Sequence, residues 1–149
     1  MLRRATPADA PRLAEILTAA HAGQAWFPQH LNDPGENAWF VETILLPEYE
    51  VWVVEEDGAA VAYAALQGDL LAHLFVHPDA QGRGIGTALL DFMKRERPQG
   101  FTLWTHQAND ACAFYEKRGL VAVQFTDGAT SRERIPDVQY GWTPESAAR

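Results

Sequence analysis

The run Gln81-Gly82-Arg83-Gly84-Ile85-Gly86-Thr87 constrains this chain more than any other stretch of it. Before it, Leu70 to Val76 reads as an apolar strand closed by His77-Pro78. After it, Gly84 to Glu96 reads as a helix, because Ile85, Ala88, Leu89, Phe92 and Met93 recur at helical spacing. Alternating glycines let the backbone turn sharply between the two and leave several N–H groups uncovered by Cβ atoms, at a helix end carrying about half a positive charge. Such a turn accepts phosphate oxygens. Two commoner glycine patterns do not fit. A Walker A loop ends in Gly-Lys-Ser/Thr, whereas Ile85, Gly86 and Thr87 follow Gly84. A dinucleotide fingerprint needs a further glycine three residues on, where Thr87 and Leu89 stand.

The remaining elements fall around this turn. Leu2-Arg3-Arg4 is a short strand, and Thr6 with Asp9 three residues later marks a helix start with Pro7 at its first position. That helix runs to about Ala20 and buries Leu13, Ile16, Leu17 and Ala20. Gly23 to Gly35 is an irregular loop rich in aromatic and polar residues, of the kind that lines binding sites. A second helix covers Glu36 to Leu46 and stops before Pro47. Tyr49 to Glu56 and Ala59 to Leu66 flank Asp57-Gly58, whose tolerance of positive φ makes a two-residue hairpin turn. Phe101 to Thr105 is a strand, Asp110 to Arg118 a helix between Asn109 and Gly119, and Leu120 to Phe125 and Val138 to Trp142 two closing strands. The order β-α-α-β-β-β-α-β-α-β-β predicts an α/β fold with a mixed sheet covered on both faces, in one domain spanning residues 1–149.

With those residues in place, the chain resembles the GCN5-related N-acetyltransferases. Their acyl-CoA loop, Gln/Arg-x-x-Gly-x-Gly/Ala, is matched by Gln81-Gly82-Arg83-Gly84-Ile85-Gly86. Leu74-Phe75-Val76-His77-Pro78 before it, Ala88-Leu89-Leu90 after it, and Phe114-Tyr115-Glu116-Lys117-Arg118-Gly119-Leu120 downstream are similar to the family's other signatures. The resemblance implies a central mixed sheet of about seven strands, parted between the strands near Val76 and Thr105. It implies acetyl-CoA as cosubstrate, its pantetheine arm lying along Leu74, Phe75 and Val76 like an added strand. Its pyrophosphate would take main-chain N–H groups of Gly82, Arg83, Gly84, Ile85, Gly86 and Thr87, with Gln81 opening the loop. The Arg83 side chain either adds a charge contact or is simply solvated.

The same resemblance assigns Tyr115 as the acid for the departing thiolate and a backbone N–H near Val76 as oxyanion donor. The family carries asparagine seven residues before this tyrosine. Ala108 stands there, with Asn109 one later, so Asn109 is read both as a cofactor contact and as a helix N-cap. Many relatives carry an acidic residue on the fourth strand, where Leu71, Ala72, His73 and Leu74 stand here. His73 is the substitute base, its reference titration lying near neutrality. Glu42, His106 or direct loss of the proton to solvent are the other routes. Cys112 has no nucleophile motif and reads as a helix residue.

Composition limits the acceptor. Twenty acidic against twelve basic residues give a net charge of −8, which argues against nucleic acid and anionic membrane as partners. A single cysteine excludes an internal disulfide and multi-cysteine metal sites, and no metal is expected. No signal-peptide or membrane-span pattern is present, so a cytoplasmic protein is expected. The acceptor is read as a primary amine of a small molecule or peptide. Trp26, Phe27, Trp39 and Phe40 could cradle it, with Glu36 or Asp33 attracting its charge. A homodimer is consistent with exposed sheet edges. A non-catalytic acyl-CoA sensor and a partner-binding domain stand as alternatives.

Overall fold

The computed structural model describes residues 1–147. β1 (Leu2–Arg4) is followed by α1 (Ala10–Ala22), which a single 3₁₀ turn, Pro7–Asp9, leads into. The Thr6 N–H donates to Asp9 Oδ2 at 2.7 Å, as the Thr6/Asp9 start signal predicts. α1 buries Leu13, Ile16, Leu17 and Ala20, the face read from its spacing. α2 (Pro34–Phe40) begins two residues earlier than its pattern suggests, because the Asp33 side chain accepts the Glu36 N–H at 2.8 Å.

The expected stop before Pro47 is overturned. α2 widens into a π turn, Val41–Leu45, and continues as α3 (Leu46–Glu48). The Leu46 N–H reaches back five residues to the Val41 carbonyl, and this wider turn carries the helix past a residue that has no N–H to give.

β2 (Glu50–Glu56) and β3 (Ala59–Gln67) form the expected hairpin, with Asp57 at φ 53° and Gly58 at φ 81°. β4 (Leu70–Val76), α4 (Ile85–Glu96), β5 (Phe101–His106), α5 (Ala111–Lys117), β6 (Val121–Thr126) and β7 (Asp137–Trp142) follow, then a last short helix, α6 (Pro144–Ala147), that the pattern does not announce. In α4, Leu90 is buried and Ala88 is exposed, the reverse of the expectation for Ala88: the core stripe runs Ile85, Leu89, Leu90, Met93.

The sheet order is β1-β2-β3-β4-β5-β7-β6, and only β4 and β5 are parallel. One apolar cluster lies beneath α4 and α5 and includes Leu66, Leu89, Leu90, Met93, Leu103 and Tyr140. A second lies beneath α1 and the π turn and includes Leu13, Ile16, Val41, Leu45, Val53 and Tyr63. Both faces of the β1–β4 half are therefore covered. The β5-β7-β6 half leaves Trp104, Val121, Val123 and Phe125 at 42%, 40%, 60% and 66% exposure. Among the described residues no helix is long and apolar enough to cross a membrane.

Two local features part the sheet at its centre. The register of β4 on β3 steps from His73↔Ala65 to Leu71↔Leu66, so Ala72 is an extra, bulged residue. A bulge bends and twists its strand. β4 and β5 pair only at Leu70↔Thr102, and beyond that point they diverge. The gap opens toward Val76 and His106, at the C-terminal ends of the two parallel strands.

Candidate active site

The parted strands open a cleft of about 1610 Å³. Leu74, Phe75 and Val76 line one wall and Leu103, Trp104, Thr105 and His106 the other. The glycine turn and α4 stand at its mouth, α5 closes one end, and the Gly23-to-Phe40 region closes the other.

Gly82 and Gly84 adopt φ of 79° and 82°, and Gly84 is the left-handed cap from which α4 starts. Among the described residues, none of the main-chain N–H groups from Gly82 to Thr87 has a partner within the protein. Six donors without a protein partner therefore lie at the positive end of a twelve-residue helix. The Gln81 side chain braces the turn by donating to the Val76 carbonyl at 3.1 Å. Arg83 does not point into the cleft: its guanidinium pairs with Glu56 at 2.8 Å. Behind the turn, Arg118 donates to the Thr87 hydroxyl at 3.0 Å and lies over the Phe114 ring at 3.9 Å. Arg118 lines the cleft behind the turn, a position that only the fold reveals.

Tyr115 is 7% exposed and lines the cleft. Its hydroxyl has no hydrogen-bond partner among the described residues and is not among the sealed, unpartnered atoms, so it opens to the cleft. Burial raises its pKa and keeps it a neutral phenol at any physiological pH. Asn109 donates to the Thr105 hydroxyl at 3.0 Å and accepts the Ala111 N–H at 2.9 Å, so its amide ties β5 to the start of α5 while lining the cleft.

The other end is aromatic and rich in histidine. Phe27 meets His21 at 3.9 Å between ring centroids, Trp26 meets His106 at 4.9 Å, and Phe75 lies 5.3 Å from His21 and 5.5 Å from His73. Trp39, Phe40 and Glu36 line this end as expected, as do Arg132 and Glu133 from the β6–β7 connection and Asp137 at the start of β7. Asp33 is absent from this lining, its carboxylate being spent on the α2 cap. Glu42 is placed elsewhere as well. It lies in a separate groove with Thr6, Pro11 and Pro47, because the π turn shifts the helix out of the phase its spacing suggests.

His73 accepts or donates a 3.0 Å hydrogen bond between its Nδ1 and the Tyr63 hydroxyl. Burial, with His21 nearby, pushes its pKa down to about 4, and burial does the same to His21, next to His106 and Arg132. His106 is lowered by burial against the opposing pull of Glu133 and Asp137. Cys112 is partly buried in α5, its thiol pushed up by burial.

These neutral histidines give the fold a pH dependence of known sign. The unfolded chain protonates histidine near pH 6.5, whereas His73 and His21 resist protonation down to about pH 4. Stability is therefore full above pH 6.5 and falls as pH drops from 6.5 toward 4. His73, partly buried where it lines the cleft, carries a share of that fall. Urea unfolding at pH 7.5 and pH 5 checks it, and His73→Gln should flatten the difference.

The family pattern described as Acetyltransferase (GNAT) domain matches residues 47–120. The chain is 35% identical over 82 residues to the peptidyl-lysine N-acetyltransferase YiaC of Escherichia coli K12, covering 54% of this chain and 56% of that protein. It is 36% identical over 101 residues to the L-amino acid N-acyltransferase MnaT of the same organism, covering 60% and 58%. The chain thus spans a little over half the length of these relatives. Among solved structures it is similar to a GCN5-related N-acetyltransferase from Rhodopseudomonas palustris, with a TM-score of 0.77, 25% identity and coverage of 95% and 94%. It also shares its fold with the PaiA N-acetyltransferase of Thermoplasma acidophilum, solved in complex with coenzyme A, with a TM-score of 0.77, 17% identity and coverage of 95% and 97%.

Proposed function

The chain belongs to the GCN5-related N-acetyltransferases, and from that premise we propose that residues 1–149 act as one domain transferring an acetyl group from acetyl-CoA directly to a primary amine. The acceptor is a small molecule or a peptide. One observation carries the reading: β4 and β5 part after a single rung, and six unpartnered N–H groups stand at the mouth of the gap. An extended pantetheine arm fits along Leu74, Phe75 and Val76, and a pyrophosphate suits the donors of Gly82, Arg83, Gly84, Ile85, Gly86 and Thr87. Gln81 shapes that turn, Asn109 borders the gap, and Arg118 supplies positive charge beside it.

Attack of the amine nitrogen on the thioester carbon forms the amide bond, breaks the C–S bond and leaves the electron pair on sulfur. Tyr115 presents its O–H to that sulfur and supplies its proton. The amine's surplus proton leaves to water, and solvent returns a proton to the Tyr115 phenolate, which closes the cycle. No covalent intermediate on the protein is required, and Cys112 has no part.

The uncharged edge strand β6, with Val123 and Phe125 largely exposed, supports association of two copies along this edge. The acidic net charge supports acceptors other than nucleic acid or anionic membrane.

The test follows thiol release from acetyl-CoA across a panel of amino acids, aliphatic and aromatic amines, and peptides with free lysine or free N-termini. Release that requires the amine and matches N-acetyl product by mass establishes the activity. Stabilisation by acetyl-CoA with no release for any amine would favour an acyl-CoA sensor.

A further inference from the structure

Tyr63 and His73 are neighbours on one face of the β3–β4 pair. Tyr63 is fully buried, and its hydroxyl meets His73 Nδ1 at 3.0 Å. Among the described residues the hydroxyl has no other partner. A buried phenol O–H must find an acceptor or bear its whole desolvation cost. If Nδ1 carried a proton, it would have to donate to the Tyr63 oxygen, and the phenolic hydrogen would be stranded in the core. The O–H therefore donates to Nδ1, and the neutral ring carries its single proton on Nε2.

Nε2 faces a different environment. It has no protein partner, and the sealed, unpartnered side-chain nitrogens among the described residues are His106 Nδ1 and Trp142 Nε1 only. His73 lines the cleft, so its Nε2–H opens there. The ring is held by Phe40, stacked at 5.7 Å and 20°, and by the edge of Phe75 at 5.5 Å. Among the described residues no carboxylate hydrogen-bonds it. A fixed neutral N–H attracts an oxygen lone pair; on the nucleophilic nitrogen it would only mask the pair that must attack.

We propose that His73 is a hydrogen-bond donor rather than a base: Tyr63 locks its Nε2–H tautomer, and, resting on the acetyl-transfer reading, that N–H holds a carbonyl or carboxylate oxygen carried beside the acceptor's amine. The preferred acceptor is then an amino acid or a peptide N-terminus rather than a bare amine. Arg132 stands at the same end with a single 3.3 Å bond to the Leu31 carbonyl, leaving guanidinium donors for a carboxylate. Trp26, Phe27 and Phe40 suit an apolar side chain.

Two measurements on the full chain test this. Long-range ¹H–¹⁵N spectra of ¹⁵N-histidine-labelled protein at pH 7, with no substrate, should place the His73 proton on Nε2, and Tyr63→Phe should give a tautomer mixture. A proton on Nδ1 in the unaltered protein would overturn the donor assignment, whatever the enzyme does. The second measurement compares L-phenylalanine with phenethylamine as acceptors. His73→Ala should lose about tenfold or more in kcat/KM for the amino acid and less than about threefold for the amine, whereas His73→Gln, which keeps an N–H, should retain most of the activity on both. Equal losses in both variants and on both acceptors would make His73 a base. If neither acceptor is acetylated, the acceptor half falls with this substrate class, and the tautomer result stands on its own.

Discussion

Gly84→Glu is expected to abolish the stabilisation that acetyl-CoA gives the unaltered protein. At about one hundred times Kd, ligand linkage is worth about 2.7 kcal/mol, or roughly 5 to 10 °C in Tm for a chain of this size. Gly84 is where α4 begins, at φ 82°, and the space a Cβ would occupy there is open. A side chain at that position therefore costs backbone strain of about 1–3 kcal/mol but meets no atom. A carboxylate there adds something different: a negative charge among the N–H groups proposed to face a pyrophosphate. Gly84→Ala separates the two effects, since it carries the strain without the charge. The ordered outcome is a full shift in the unaltered protein, a reduced one in Gly84→Ala and none in Gly84→Glu. A Tm shift of undiminished size in a folded Gly84→Glu protein would remove the turn from the cofactor site.

Tyr115→Phe is expected to lower kcat by about a hundredfold or more while leaving the fold and the KM for acetyl-CoA nearly unchanged. The hydroxyl has no partner among the described residues, so its removal orphans no buried group and creates no cavity. Stability should stay within about 0.5 kcal/mol, which makes a kinetic loss readable as chemistry. Steady-state rates beside thermal unfolding settle it. Retention of kcat within a few-fold would leave Tyr115 as a packing residue against Phe114 and Tyr140.

What could be read from the chain before its fold was known depended on the range of the determining interaction. Asp57-Gly58 and the Gly82/Gly84 turn were legible because backbone conformation there is fixed by the residues themselves, and both adopt the positive φ their composition demands. The amphipathic face of α1 was legible for the same reason. Pro47 misled because a π turn, which no local propensity announces, carries the helix through it; the same turn sends Glu42 to a different groove from the one its position suggested. Arg83 reads either as a charge contact or as a solvated side chain, and it pairs instead with Glu56, a partner 27 residues away that only the packing of β2 against the turn supplies. The Tyr63–His73 bond lies further still beyond sequence reasoning. It depends on strand register, and so does the burial that, with His21 nearby, lowers the His73 pKa from its ordinary value.

The single rung between β4 and β5 has a mechanical meaning. Two half-sheets, β1 to β4 and β5-β7-β6, share one main-chain pairing and otherwise lean on the layers above and below them. Beyond that pairing the edge of β4 takes no main-chain partner from β5. An acyl-pantetheine arm laid between the strands would act as the latch, so the substrate would complete the scaffold that works on it.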